Sequence, residues 1–498
     1  MRNEKNTTAR DSSQQSNFFP ISIIYSIAHI WIFTLGGALY WDDWFFYGAP
    51  SSWVYQGFKD AGGFLFIQPL IFFTFDALGM WAHKFATFSI GLAIAQLFSI
   101  ILQRDLGFSQ REALWVAALA SVLPFNIARV ALINFSYMLG VLLFLCGWVA
   151  LEKRKTIAAI FFVLAFSTQS LLVFYIFPFS CYLKHFCFDR SNRKNKFHLF
   201  IFFLLPFVWF IIKNLFFVPE PEIYRGYQKI SFINVGESVL AQYTDFKEYL
   251  SSHFGNIILD RLGLSMGFSA LALSMIRCRA PFSVVGFKTV GFRFGLGASM
   301  VIFGCFAYWS IGEVPTFSEW TSRHQLLMPF GFAVLIFTVI CATPYFIRGV
   351  IMSLVIGASA TVTANNYSDF RADWRKQEDI VLSLSQSNAA MNCKLMVFKD
   401  WGAPFAIDRI LRSYEWTGLV HRAFPNDVDR VGISLAQLPY FRAGAFDAVH
   451  LNRMYSSHQF SKDSLRDGCL VLITQDGDGH GVVVSGVDLT LEHIDKEL

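Results

Sequence analysis

Two adjacent carboxylates flanked by indoles, Trp41-Asp42-Asp43-Trp44, directly follow the first long apolar run of this chain. Side by side, two such charges repel, so the pair needs a cation, a shared proton or a Lys/Arg partner to be held in place. Each solution is chemically useful. A carboxylate with a raised pKa is a general base, and a carboxylate pair is a ligand for a hard divalent cation such as Mg or Mn. The roles that follow are catalysis at Asp42 and Asp43, with Asp42 as the base and Asp43 as the cation ligand or positioning partner. Trp41 and Trp44 suit the aromatic belt of a membrane interface and also offer flat apolar faces to a sugar ring. The plainer reading is a helix end in a solvated loop, with the two Trp residues as lipid anchors.

A second cluster, Glu319-Trp320-Thr321-Ser322-Arg323-His324, stands just before another apolar run. Arg323 and His324 lie where backbone N–H groups and the helix dipole already favour an anion, so they are candidate contacts for a lipid phosphate. Trp320 is a further candidate sugar platform. An ordinary snorkelling Arg is the simpler alternative. Polar groups also interrupt or end the apolar runs: Gln68, Asp76, Asn126, Arg129, Asn134, Gln169, Lys213, Asp260 and Arg261. Ionisable groups inside a membrane are costly, so they line cavities or pair with one another. Lys213, near one end of its run, is the member that could join a phosphate site. Asp476-Gly-Asp478-Gly-His480-Gly481 lacks the later ligands of a calcium loop and reads as a Gly-rich turn between strands.

The elements that must carry these residues are membrane helices. Of 498 residues 54% are hydrophobic and only 15% charged, where a soluble chain carries about a quarter charged residues. Runs at 18–40, 83–103, 112–128, 131–150, 156–168 with 170–184, 197–217, 256–276, 294–311, 324–343 and 346–364 predict about eleven spans. The 156–184 stretch reads as a pair of short or broken helices around Ser167-Thr168-Gln169-Ser170. With the N-terminal tail 1–17 in the cytoplasm, the inner segments hold twice as many Lys and Arg as the outer loops that precede residue 365. That bias makes 64–80 a re-entrant or interfacial segment, continuous with an amphipathic piece over 51–63. The membrane domain is then 18–364, with outer loops 41–82, 218–255 and 312–323. From 365 charges appear throughout, a helix starts at Tyr367, and runs such as Lys394–Phe398 and Cys469–Ile473 read as buried strands. This predicts a soluble outer α/β domain over 365–498. Six of the eight cysteines fall in spans or inner segments. Cys393 and Cys469 each precede a strand-like run, which places them at the ends of neighbouring strands as a disulfide or as two separate thiols.

Asp42-Asp43 in the first outer loop, the interfacial stretch after them and the outer C-terminal domain together resemble the GT-C superfamily of membrane glycosyltransferases. The resemblance implies an inverting enzyme of the bacterial inner membrane. It would take a sugar from a polyprenyl-phosphate carrier and pass it to an acceptor glycan on the periplasmic side. Enzymes that decorate O-antigen with glucose are similar in length and layout. By the same resemblance the acidic residues of the first outer loop supply the general base or hold a divalent cation, and metal dependence is left open. A lipid-linked glycan transporter or flippase is the alternative outside this class, and it calls for related halves and midplane charges. An O-antigen polymerase is the alternative among enzymes. No nucleic-acid signature is present.

Overall fold

The computed structural model describes residues 18–188, 196–219, 233–277, 287–317, 320–400, 411–425, 427, 430–437, 468–475 and 482–488. The N-terminal tail, Glu319, residues 220–232 of the 218–255 loop and the Gly-rich turn at 476–481 lie outside them. Among the described residues, seven helices are long and apolar enough to cross a bilayer: α1 (Phe18–Leu35), α2 (Met80–Arg104), α3 (Leu132–Ala150), α4 (Ser170–Cys187), α5 (Phe197–Phe216), α6 (Lys288–Trp309) and α7 (Tyr345–Gln386). A bent pair, Val235–Asp260 with Leu262–Met275, brings the count to eight if it is one span. The expected eleven is therefore corrected downward. Each apolar run is helical, but Gln110–Val122, Lys155–Ala165 and Met328–Cys341 are only 13, 11 and 14 residues long. At 1.5 Å per residue they fall short of a hydrocarbon core about 30 Å thick. Gln110–Val122 is buried inside the bundle from Glu112 to Ala120, so its apolarity reflects protein neighbours. The 64–80 run holds an 11-residue helix, Gln68–Leu78, that stops at Gly79, whose φ of 83° breaks the helix before α2.

Helices approach closely where small residues meet. A Cβ at Gly331 would lie 2.7 Å from the backbone of Gly297 and Val301 on α6, so only glycine lets Met328–Cys341 pack there.

The boundary expected at 364/365 falls inside a single helix. α7 runs 42 residues, from apolar turns into a polar half that continues without a break. That half holds two different cores together. Tyr367, Phe370 and Trp374 pack with the loop after α1, and Ile380 and Leu384 pack against a β-sheet. The sheet comprises β1 (Leu395–Asp400), β2 (Val431–Ser434), β3 (Gly468–Gln475) and β4 (Val482–Asp488), in the order β2-β1-β3-β4. β1 is parallel to β2 and to β3, and β4 is antiparallel to β3. Cys393 and Cys469 form a disulfide with their Cα atoms 5.9 Å apart. Helix α8 (Ser413–Ala423) lies on the sheet, with Trp416 stacked on Phe398 at 4.3 Å and Thr417 bonded to Gly432.

Candidate functional site

α1 ends at Gly36, whose φ of 54° turns the chain out of the helix. The next turn is unusual, because Trp41 adopts a left-handed φ of 51°. A bulky residue rarely stays in that region unless its surroundings fix it there. Two contacts do so. Trp41 N–H donates to the Glu415 carboxylate of α8 at 3.2 Å, and the indole packs against Trp320 at 5.4 Å and Phe370 at 5.6 Å. Nearby, Tyr40 donates its hydroxyl to the Phe370 carbonyl at 2.8 Å.

The two carboxylates then separate into different environments. Asp43 is fully buried, and its two oxygens accept from Leu132 N–H at 2.8 Å and Ile133 N–H at 2.9 Å. Lys84, also buried, donates to the carbonyls of Val130 at 2.7 Å and Ala38 at 3.3 Å, and its charge acts on Asp43. Burial pushes the Asp43 carboxyl above the usual range, while Lys84 and the backbone donors oppose that rise. This residue is a staple between the loop after α1 and residues 130–133. It does not line the cavity for which the catalytic and metal roles were expected, and both its oxygens already accept backbone N–H groups. Among the described residues, no group of three His, Cys, Asp or Glu side chains converges to hold a metal ion.

Asp42 faces the other way, into a cavity of about 300 Å³. That volume is at the lower end of ligand pockets, which span about 300–1,000 Å³. Lys213, Trp320, Arg323 and His324 line the same cavity. So do Gln68, Tyr137, Ser167, Gln169, Ser170, Tyr308 and Glu313. The elements explain the convergence. α1, α5 and α6 end around it, while α4 and Met328–Cys341 begin there, so the cavity sits at one end of the bundle. The break expected at 167–170 is the turn before α4, and its polar side chains form part of the wall.

Burial pushes the Asp42 carboxyl up, and the Arg323 guanidinium, the Tyr414 hydroxyl and Arg412 pull it back. The Arg323 guanidinium lies 4.0 Å from the centre of the Trp320 ring, and its buried Nη1 has no hydrogen-bond partner among the described residues. Lys213 is buried in the last turn of α5. His324 stacks on Tyr308 at 4.4 Å, with its buried Nδ1 unpartnered among the described residues. Burial and the adjacent Arg323 hold this imidazole well below its usual pKa, so it is neutral and cannot serve as a cation. Such a ring still contributes an N–H or an acceptor.

Trp41 and Trp44, expected to offer faces to a sugar, are packed against other side chains and do not line this cavity. Trp41 is buried as described, and Trp44 stacks on Trp374 at 6.0 Å while its Nε1 donates to Gln377 at 3.0 Å. Only Trp320 of the three expected platforms reaches the cavity. Sequence reasoning missed Tyr414 and Glu415, which lie some 370 residues from Asp42 and carry no motif, and it missed Tyr308 and Glu313. The polar break at 167–170 was the one available pointer to the far wall. Comparison with protein-family models, with curated proteins and with solved structures finds no match for this chain.

Proposed function

We propose that this protein is an inverting membrane glycosyltransferase that moves a sugar from a polyprenyl-phosphate carrier to an acceptor glycan, of O-antigen or another cell-envelope polymer, in the periplasm. One observation carries the reading: a partly buried carboxylate, the Arg323 guanidinium with a buried Nη1 that has no partner among the described residues, Lys213 and an indole share one cavity at the end of an apolar helix bundle. Polyprenyl phosphate keeps its charge at headgroup depth while its sugar projects outward. Arg323 and Lys213 match the phosphate, and the exposed part of Trp320 matches the sugar face. Asp42 takes the proton of the acceptor hydroxyl as that oxygen attacks the anomeric carbon from the side opposite the phosphate. Negative charge then grows on the departing phosphate, where Arg323 and Lys213 stabilise it in a site with little water. His324, neutral, contributes a hydrogen bond. The donors around Asp43 do not suit a divalent cation, so no step is routed through one.

The test is direct. Purified protein is incubated with polyprenyl-phosphate hexoses and candidate glycan acceptors, and sugar transfer or release is measured against Asp42→Asn. Equal turnover by both proteins, or none with any donor, would remove this reading.

A further inference from the structure

We propose that Ser322 and Gln325 are positioning residues that set Arg323 at the donor phosphate, by seating its turn on the backbone segment that also holds Asp43. The proposal deepens the glycosyltransferase reading and rests on it for the role of Arg323. Its own evidence is geometric. Trp320–Gln325 is a short 3₁₀ helix, in which side chains three positions apart share a face. Trp320 and Arg323 share one face, with the guanidinium over the indole and both side chains lining the cavity. Thr321 and His324 share the second. The Thr321 hydroxyl pairs with that of Thr316, and His324 stacks on Tyr308. Ser322 and Gln325 share the third, where both are fully buried and neither lines the cavity. Ser322 Oγ accepts from Ala128 N–H at 3.0 Å, and Gln325 Oε1 accepts from Asn126 N–H at 3.3 Å.

The segment that donates these two bonds continues directly to Asp43. Leu132 and Ile133 give their N–H groups to that carboxylate at 2.8 and 2.9 Å, and Lys84 donates to the Val130 carbonyl at 2.7 Å. The Asn134 amide closes the segment on itself through the Ala128 carbonyl at 2.7 Å. Residues 126–134 therefore form a bracket. One end holds the turn bearing Arg323, and the other holds the loop bearing Asp42. Trp41 against Trp320 at 5.4 Å joins the two again nearer the cavity. The separation of base from phosphate contact is thus set by side-chain acceptors on backbone donors. Without Ser322 Oγ or Gln325 Oε1, the turn keeps its aromatic contacts but loses the bonds that fix it on the bracket. Arg323 keeps its charge but no longer holds its N–H groups aligned, and a guanidinium grips phosphate through aligned donors.

The experiment uses the full chain in detergent. Ser322→Ala and Gln325→Met each delete one acceptor. Gln325 Nε2 has no partner among the described residues, so the second change removes no bond made by that nitrogen. In each variant the apparent KM for a polyprenyl-phosphate hexose should rise about tenfold, with kcat little changed, as expected when a binding group is misplaced and not removed. Ser322→Thr, which keeps the hydroxyl, should stay near the native KM. In an Arg323→Ala background neither change should raise KM further, because the effect travels through that guanidinium. An equal rise in both backgrounds overturns the proposal, since loosened packing alone would act without Arg323. Native KM in both Ser322→Ala and Gln325→Met overturns it as well. Should Ser322→Ala fail to fold, Gln325→Met carries the same comparison. Modification of Arg323 by phenylglyoxal, followed by mass spectrometry, should quicken in both variants, and an unchanged rate counts against the proposal without any use of substrate. No turnover by the native protein would instead sink the glycosyltransferase reading, and the labelling would still decide whether Ser322 and Gln325 hold Arg323.

Discussion

The two neighbouring aspartates should fail in different ways when each is changed to asparagine. Asp43 accepts N–H donors at both oxygens, at 2.8 and 2.9 Å, and balances buried Lys84. In Asp43→Asn the side-chain amide would keep one acceptor and turn an NH₂ toward a backbone N–H, so one charge-assisted bond is lost and a second is weakened. Each such bond contributes about 1.5–3 kcal/mol. Losing one such bond and weakening the second puts the total for Asp43→Asn at about 2–5 kcal/mol. That is a large part of the stability of an ordinary domain, so this variant should express poorly and melt early in detergent. Asp42 lines the cavity and accepts none of those backbone donors. Its asparagine variant should melt within a few degrees of the native protein but lose about 10²–10⁴ in turnover, as expected when a general base is removed. Thermal melts followed with a thiol-reactive dye, alongside sugar transfer from polyprenyl-phosphate hexoses, separate the two cases. A normally stable, inactive Asp43→Asn protein would refute the division of labour between staple and base.

Arg323→Ala should weaken use of the lipid donor by about 1.5–3 kcal/mol, read as a rise in apparent KM, while melting changes little. Unchanged donor affinity would make Arg323 only a partner for Trp320. Because burial raises the Asp42 carboxyl, turnover should fall on the acid side with a midpoint above the ordinary aspartate value of about 3.9. The base must be ionised, so activity is retained above that midpoint and lost below it; a midpoint at or under the ordinary value would contradict the burial argument. Unfolded, unreduced protein should show six reactive thiols, its eight cysteines less the Cys393–Cys469 pair. Eight would count against the bond, whose loss should destabilise the C-terminal part by up to about 4 kcal/mol.

The amino-acid sequence alone determined the class of this protein, since a run of apolar residues has to be helical where no water can satisfy its backbone. It also located the carboxylate, the Arg323 cluster and Lys213, because charges beside or within apolar runs are conspicuous. The strand-edge placement of Cys393 and Cys469 was legible too, from the apolar runs that follow them. Span number was not, because a helix buried among other helices, such as Gln110–Val122, is as apolar as one facing lipid. Nor could the sequence distinguish Asp42 from Asp43. Adjacent residues of one type differ only in where the backbone points them: Asp43 toward the N–H groups of Leu132 and Ile133, and Asp42 into the cavity that Arg323 also lines. Only tertiary structure decided that the three indoles divide between packing and cavity. It alone brought α8 onto the loop after α1, because contacts across some 370 residues leave no local pattern in a single chain.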